Sequence, residues 1–406
     1  MQIIADFHLH SKFSGATSTA MNLENLTHGA KIKGLNLLGT GDFTHPLWLK
    51  ELKTKLKIDD EGVFNYDGIN FILTTELTTI FEFENKIRKI HHLIHAPSFE
   101  VVDQINEALS RFGDLKIDGR PTLNISAPEL VEILIEIYDK MIITPAHAWT
   151  PWFSIFGSKF GFNTVEECYQ DKAKHIFSIE TGLSSDPKMN WRISALDKYT
   201  LVSNSDAHSP APWRLGREAN VFDLEKLSFD SIFKAIKYRE KFLYTIEVDP
   251  NYGKYHFDGH RNCNVVLNPK ETKKLNGVCP VCNKKLTIGV LHRVETLADR
   301  DENYVPKNAI GFKTILPLYE IISVLLNSSP FTKKVSLIAN KLIEKFGNEF
   351  NVLLNADFDE LKKIVDEKIA RAIMKVRNSQ IKYLPGYDGV YGKPILFENQ
   401  KTLFSF

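Results

Sequence analysis

Seven times between residue 1 and about residue 225, a short run rich in Ile, Leu and Val leads into a residue that can bind a metal. The runs are 3–7, ending at His8 and His10; Leu35–Leu38, at Asp42; Phe71–Leu73, at Glu76; and Ile90–Ile94, with His91, His92 and His95. Met141–Ile143 then ends at His147, Ile176–Ile179 at Glu180, and Leu201–Val202 at Asp206 and His208. Helix-like stretches lie between most of them, among them Asn22–Lys33, Phe99–Phe112 and Pro128–Tyr138. Strands alternating with helices place the chain in the α/β class and predict parallel strands joined by right-handed crossovers. Function in such folds collects at the C-terminal ends of the strands. A closed or nearly closed barrel brings seven such ends into one mouth, whereas an open sheet spreads them along a line, so the barrel is preferred.

Side chains alternate faces along a strand, so His8 and His10 share a face, and Asp206-x-His208 repeats that geometry. His8, His10, Glu76, His147, Asp206 and His208 are the leading ligand candidates. Alternation puts His91 and His92 on opposite faces; His91 is preferred, with His92 the alternative. Asp42 and Glu180 serve either as ligands or as carboxylates that orient a ligating imidazole. His45 belongs either to this cluster or to an ordinary loop. About four imidazoles with several carboxylates exceed what one zinc needs and suit two or three ions of zinc, manganese or iron. Such a cluster activates water and stabilises a departing alkoxide, which favours phosphoester hydrolysis; Asp206, Asp42 and Glu76 are the catalytic candidates.

Composition sets bounds. A chain of 406 residues with net charge +1 has no global basic field to attract a polyanion, so any nucleic-acid contact must come from local patches. The N-terminus has no signal-peptide pattern and no run reaches a membrane span, so no membrane partner is expected. The longest apolar stretch, Phe312–Leu326, reads as a buried helix pair. Three of the four cysteines fall between Cys263 and Cys282, which argues for a reducing, cytoplasmic setting and a metal rather than disulfides. Cys279-Pro280-Val281-Cys282 reads as a zinc knuckle completed by Cys263 and by His260, with His256 the alternative fourth ligand.

The last hundred residues read as helical, with Leu361, Ile364, Val365, Ile369, Ala372 and Ile373 on one apolar face and basic residues opposite. Basic residues beside the turn-rich Tyr387-Asp388-Gly389-Val390-Tyr391 suit phosphate contact and base stacking. Trp149 and Trp152, just past His147, could hold an extruded base, and Arg214 and Arg217 could grip a phosphate.

The ordered set His8-Leu9-His10, Asp42, Glu76, the histidine strand 91–95, His147 and Asp206-Ala207-His208 resembles the polymerase and histidinol phosphatase (PHP) superfamily. The resemblance implies a distorted seven-stranded (β/α) barrel with a trinuclear metal site. Two positions depart from it: Phe43 follows Asp42 where many members have histidine, and Ser11–Gly15 lacks a third histidine. With His-Arg-Asn-Cys, Cys-Pro-Val-Cys and Leu-Pro-Gly-Tyr-Asp-Gly-Val-Tyr-Gly added, the whole chain is similar to the endonuclease Q family. The expected architecture is then a PHP catalytic barrel over 1–245, a zinc-binding module over 246–305 and a C-terminal helical DNA-binding domain over 306–406. The resemblance implies an endonuclease that cuts damaged double-stranded DNA 5′ to deaminated bases (uracil, hypoxanthine, xanthine) and abasic sites. It would use Mg²⁺ or Mn²⁺ for activity, with zinc in the knuckle and in the barrel cluster. A sliding clamp is a further candidate partner, although the C-terminus carries no convincing clamp-binding peptide; the ending Thr402-Leu403-Phe404-Ser405-Phe406 is apolar enough to dock. The alternatives are a histidinol-phosphate-type phosphatase and a non-catalytic DNA-binding accessory protein.

Overall fold

The computed structural model is described over residues 1–397, apart from the side chains of Asp59 and Asp60; the apolar ending 402–406 lies outside the described residues. All seven expected strands are present: β1 (Gln2–Asp6), β2 (Leu37–Gly39), β3 (Ile69–Phe83), β4 (Lys86–Ala96), β5 (Ile142–Pro145), β6 (Ser178–Glu180) and β7 (Thr200–Val202). β1, β2 and β3 pair in parallel, as do β6 and β7. Beyond β7 the chain returns to β1, where Phe7 N–H donates to Asn204 Oδ1 at 2.9 Å and His10 N–H donates to the Ala207 carbonyl at 3.1 Å. These bonds and the Leu9–Ala207 bridge join the segment after β7 to the end of β1 at the mouth, while β6 and β7 pair as a sheet of their own.

The all-parallel expectation fails at β4. It is antiparallel to both β3 and β5, and β3 and β4 form one long hairpin with eleven paired positions from Leu73↔Ala96 to Phe83↔Lys86. The turn is Glu84-Asn85, with φ of 52° and 58° at the two residues, as a two-residue hairpin turn requires. Glu76 and His91 therefore come from the middle of long strands rather than from strand ends.

The sheet continues past β1 through β8 (Ala219–Asp223) and β9 (Phe242–Val248) to β10 (Gly311–Ile315), which runs parallel to β9. The buried helix pair expected over Phe312–Leu326 is thus a strand followed by the single helix Leu318–Leu325. Pro317 explains the change: it disfavours helix in the residue before it and suits a helix start. The continuous apolar face expected from Leu361 to Ile373 is likewise divided between Phe358–Lys362 and Glu367–Arg377, with Asp366 accepting from Lys368 N–H at the start of the second helix.

One core cluster runs from Leu9 and Trp48 through to Leu361 and Ile373 and so joins the barrel to the C-terminal helices. Across that junction Lys33, on helix Leu23–Lys33, pairs with Glu349 at 2.7 Å, both side chains being fully buried. Among the described residues no helix is long and apolar enough to cross a membrane.

Candidate metal centre and nucleotide cavity

Three overlapping groups of ligand atoms meet at the barrel mouth: His8, His10 and Glu76; His10, Asp206 and His208; and Glu76, His91 and His147. Glu76 is the bridge. Its Oε1 lies 2.6 Å from His91 Nδ1 and 3.0 Å from His147 Nε2, while Oε2 lies 3.3 Å from His10 Nε2. The hairpin register makes this possible, because His91 stands opposite Thr78 and is the diagonal, same-face neighbour of Glu76. His92 projects from the other face, between Thr79 Oγ1 at 2.9 Å and the Tyr169 hydroxyl at 2.8 Å. The choice of His91 over His92 agrees with this geometry.

Asp42 and Glu180 sit behind the cluster. Asp42 Oδ1 lies 3.1 Å from His10 Nδ1, and both Glu180 oxygens lie 3.0–3.1 Å from His8 Nδ1. Each carboxylate thus faces the imidazole nitrogen that points away from the mouth. Glu180 also accepts from His147 N–H at 2.6 Å and from Asn204 Nδ2 at 2.8 Å. Asp42, His147 and Asp206 all adopt left-handed backbone, with φ of 50°, 31° and 47°. Non-glycine residues are held there only when the surroundings over-determine them, which is common at functional sites.

The donor set fits metal ions. His8 Nε2, His10 Nε2 and Asp206 Oδ1 are buried without a hydrogen-bond partner, yet Asp206 Oδ1 is 3.2 Å from His10 Nε2 and 3.7 Å from His8 Nε2. Buried polar atoms are normally satisfied; a cation among these three would satisfy all of them. Burial opposes charge on His8, but Glu180 and Glu76 raise its pKa well above the ordinary value, and the same negative field favours a metal ion. Burial pushes His91 down to about 4 against the opposing pull of Glu76. Against the burial of Glu76, His91, Arg120 and His8 hold its carboxyl well below the usual range.

His45 does not join the cluster: it stacks on Phe13 with ring centroids 4.4 Å apart and its Nε2 lies 3.2 Å from the Lys116 carbonyl. Sequence reasoning missed Arg120, whose guanidinium donates to Glu76 Oε2 at 3.2 Å. Nothing in Asp118-Gly119-Arg120-Pro121 looks metal-related, and only the fold reveals that a Cβ at Gly119 would meet Asp42 Oδ2 at 2.3 Å. Ser154, 3.0 Å from His147 Nδ1, was also missed.

A cavity of about 520 Å³ opens beside the cluster, lined by His147, Asp206 and His208 and by Trp152, Arg214, Arg217, Lys254, Tyr255 and Tyr391. Four of the residues proposed from sequence as DNA contacts, Trp152, Arg214, Arg217 and Tyr391, face it. The other two do not. Trp149 is 1 % exposed and donates from Nε1 to Asn190 Oδ1 at 2.8 Å, so it is a core residue that DNA cannot reach. Tyr387 packs against Gly259 in the cysteine-rich module.

In that module His260, Cys263, Cys279 and Cys282 bring their ligand atoms within 4.8 Å of one another. His256 is turned away, with Nδ1 3.0 Å from the Ser184 carbonyl. Burial raises the Cys279 thiol, but N–H groups of Cys282 and Val281 bring it down to about 6, a thiolate suited to a metal.

Comparison with known proteins agrees with this geometry. Residues 317–380 match the family described as the MJ0043 C-terminal domain. Protein MJ0043 of Methanocaldococcus jannaschii is 38% identical over 261 residues, which are 63% of this chain but only 32% of that protein's length. The crystal structure of the lesion-specific endonuclease PfuEndoQ from Pyrococcus furiosus superposes with a TM-score of 0.88 at 35% identity, covering 98% of this chain and 96% of that one. Endonuclease Q in complex with a 27-mer duplex carrying an abasic lesion at its active site superposes with a TM-score of 0.90 at 34% identity, covering 99% and 98%. With that likeness running through nearly the whole of both chains, the protein belongs to the endonuclease Q family.

Proposed function

We propose that the protein is a metal-dependent DNA repair endonuclease that recognises deaminated bases and abasic sites in duplex DNA and hydrolyses the phosphodiester 5′ to the lesion. The observation that carries this reading is the junction of the two parts: an imidazole–carboxylate cluster with orphaned ligand atoms opens directly into a cavity lined by aromatic rings and cations. A phosphatase for small monoesters needs the first part but gives the second no task. The duplex with an abasic lesion seated at the active site of an endonuclease Q supports the same substrate class.

In this reading His8, His10, Glu76, His91, His147, Asp206 and His208 hold two or three ions. Bound there, Mg²⁺, Mn²⁺ or Zn²⁺ supplies Lewis-acid activation of water and of the scissile phosphate. Asp42 and Glu180 fix the imidazole tautomers that leave Nε2 of His10 and His8 free. Arg120 keeps Glu76 ionised and in place. Trp152 and Tyr255, with ring centroids 5.3 Å apart, form the aromatic wall for an everted nucleotide. Deaminated bases pair poorly and are absent altogether at abasic sites, so eversion costs least at the lesion.

His260, Cys263, Cys279 and Cys282 hold a structural zinc, and the module grips DNA together with the C-terminal helices. Its reduced thiolates fit a cytoplasmic protein. The domain limits 1–245, 246–305 and 306–406 remain our division of the chain. Duplex DNA is the partner proposed.

The test is a gel assay on end-labelled duplex with one deoxyuridine or deoxyinosine, in Mg²⁺ or Mn²⁺, beside an undamaged duplex and the Asp206→Ala variant. A single nick 5′ to the lesion, absent from both controls, is expected. Intact duplexes together with hydrolysis of a phosphate monoester would refute the reading in favour of the phosphatase.

A further inference from the structure

Three cations converge on one side chain in the cavity. Lys254 Nζ lies 4.8 Å from the Tyr391 ring centroid, Arg214 Cζ 5.1 Å and Arg217 Cζ 6.0 Å. They come from separate parts of the chain: the two arginines from the loop after His208, the lysine from the segment after β9, and the tyrosine from the C-terminal hairpin Lys382–Leu384/Lys393–Ile395. Gly389 N–H donates to the Lys254 carbonyl at 3.0 Å and Gly392 N–H to the Tyr252 carbonyl at 3.0 Å, which fixes the hairpin over the cavity. A Cβ at Gly392 would stand 1.9 Å from the Asn251 carbonyl oxygen, so no larger residue allows that approach.

Arg217 is the informative member. It is 4 % exposed, and its Nε and Nη2 donate to the Ser205 carbonyl at 3.2 and 3.0 Å while Nη1 donates to the Tyr391 hydroxyl at 3.1 Å. Two of the five guanidinium N–H groups are left over, and among the described residues neither Arg217 nor Lys254 has a carboxylate within ion-pair distance. Arg214 has two long contacts, 3.5 Å to Glu320 and 3.4 Å to the Tyr252 hydroxyl. Asp206, Glu218 and Glu320 reach Arg217 only through space, so a buried guanidinium with two N–H groups left over can take its direct counter-charge from an outside anion. Asp206 and Glu180 line the same cavity but are engaged with the imidazoles of the metal cluster. The aromatic wall of Trp152 and Tyr255 suits an uncharged base, for which a threefold cationic site has no use.

We infer that Arg214, Arg217 and Lys254, gathered on Tyr391, form a second phosphate subsite that holds the phosphodiester adjacent to the scissile one in the nicked strand. The inference rests on the endonuclease reading of the cavity. Arg217 is anchored on the carbonyl of Ser205, the residue before the ligand Asp206, so an anion on this subsite lies beside the metal cluster without occupying it. Binding there sets the register of the strand: with one phosphate on the cations, its neighbour is delivered to the ligands and the base between them to the aromatic wall.

The test replaces one phosphodiester at a time with an uncharged methylphosphonate on either side of the nick site in a deoxyuridine duplex. Wild-type kcat/KM is expected to fall about tenfold at one of the two neighbouring positions, the scale of one lost charge-assisted contact. Arg217→Lys and Lys254→Ala are each expected to lose about tenfold on the natural strand, chiefly in KM, and to lose nothing further on that methylphosphonate. Lys254 is only partly buried, so its variant reports even if changes at Arg217 impair folding. Full tolerance of methylphosphonate at both neighbours, or losses that simply multiply in the variants, would overturn the subsite while leaving the endonuclease intact. A wild-type protein that fails to nick the unmodified lesion duplex would overturn the endonuclease reading and the subsite with it.

Discussion

Glu180→Gln is the change that most directly separates orienting a ligand from being one. Both Glu180 oxygens face His8 Nδ1, one also accepts from His147 N–H and the other from Asn204 Nδ2. A carboxylate can accept at all of these positions; an amide offers one oxygen and one NH₂. In the variant the NH₂ either opposes a donor, Asn204 or His147 N–H, or turns to His8 Nδ1 and forces the imidazole proton onto Nε2, the atom needed by the metal. Loss of a carboxylate behind a ligating histidine costs roughly 10–100-fold in metal affinity. Two ligand residues depend on Glu180, so the upper end is expected: about 100-fold, or about 2.7 kcal/mol. Asp42→Asn disturbs one imidazole of the cluster, His10, together with the bond from Ser11 N–H, and should cost about tenfold. Metal titration of the stripped proteins against a chelating dye measures both values, and nicking at saturating metal should return most of the activity. Wild-type metal affinity in Glu180→Gln with no nicking at any metal concentration would refute the orienting role, as would a larger loss from Asp42→Asn.

Other consequences are open to measurement. Arg120→Ala should weaken metal binding about tenfold, because Glu76 loses the cation that keeps it ionised and in place, with nicking restored at saturating metal; unchanged metal affinity would refute that role. Removing either partner of the buried Lys33–Glu349 pair should cost about 3–5 kcal/mol in denaturant unfolding, whereas Lys33→Met with Glu349→Leu should cost much less. Cys279→Ser should release the zinc and, because Asp388 ties the C-terminal hairpin to Arg261 N–H and the Thr287 hydroxyl of that module, loosen the hairpin in hydrogen exchange. Burial pushes Glu247 up to about 8, so it folds protonated: the stability this contributes is complete below pH 4.5 and is lost as pH rises through 8. Glu247→Gln should therefore flatten the fall in thermal midpoint between pH 4.5 and 8; an unchanged fall would assign it elsewhere.

The strands and the cluster of polar side chains at the mouth were legible because such a cluster must interrupt apolar runs with polar residues. Such interruptions are conspicuous at His8, Glu76, His147 and Asp206. The strand-to-strand direction was less legible. Glu84-Asn85 is a two-residue turn, but polar residues along Glu82–Lys86 resemble any surface loop, and only the register from Leu73 to Lys86 reveals a hairpin. The role of a carboxylate was not legible at all. Asp42 and Asp206 follow similar apolar runs; one faces an Nδ1 and the other an Nε2, and that difference depends on where two other strands bring their histidines.

The same limit explains the tryptophans. Trp149 and Trp152 sit three residues apart in one aromatic segment, with equal chemical claim to a nucleobase. Between them the chain turns: Thr150 N–H donates to the His147 carbonyl, Phe156 N–H returns to the Ala148 carbonyl, and Phe153 takes a left-handed φ of 58°. This loop folds back on the strand that delivers His147, so Trp149 is drawn under that imidazole and packs at a tilt against Phe156, ring centroids 4.6 Å apart. Trp152 is left on the outside, against Tyr255. The indole beneath His147 donates to Asn190 Oδ1, whereas the one above meets the cavity. The loop that places His147 therefore also decides which aromatic ring faces the cavity.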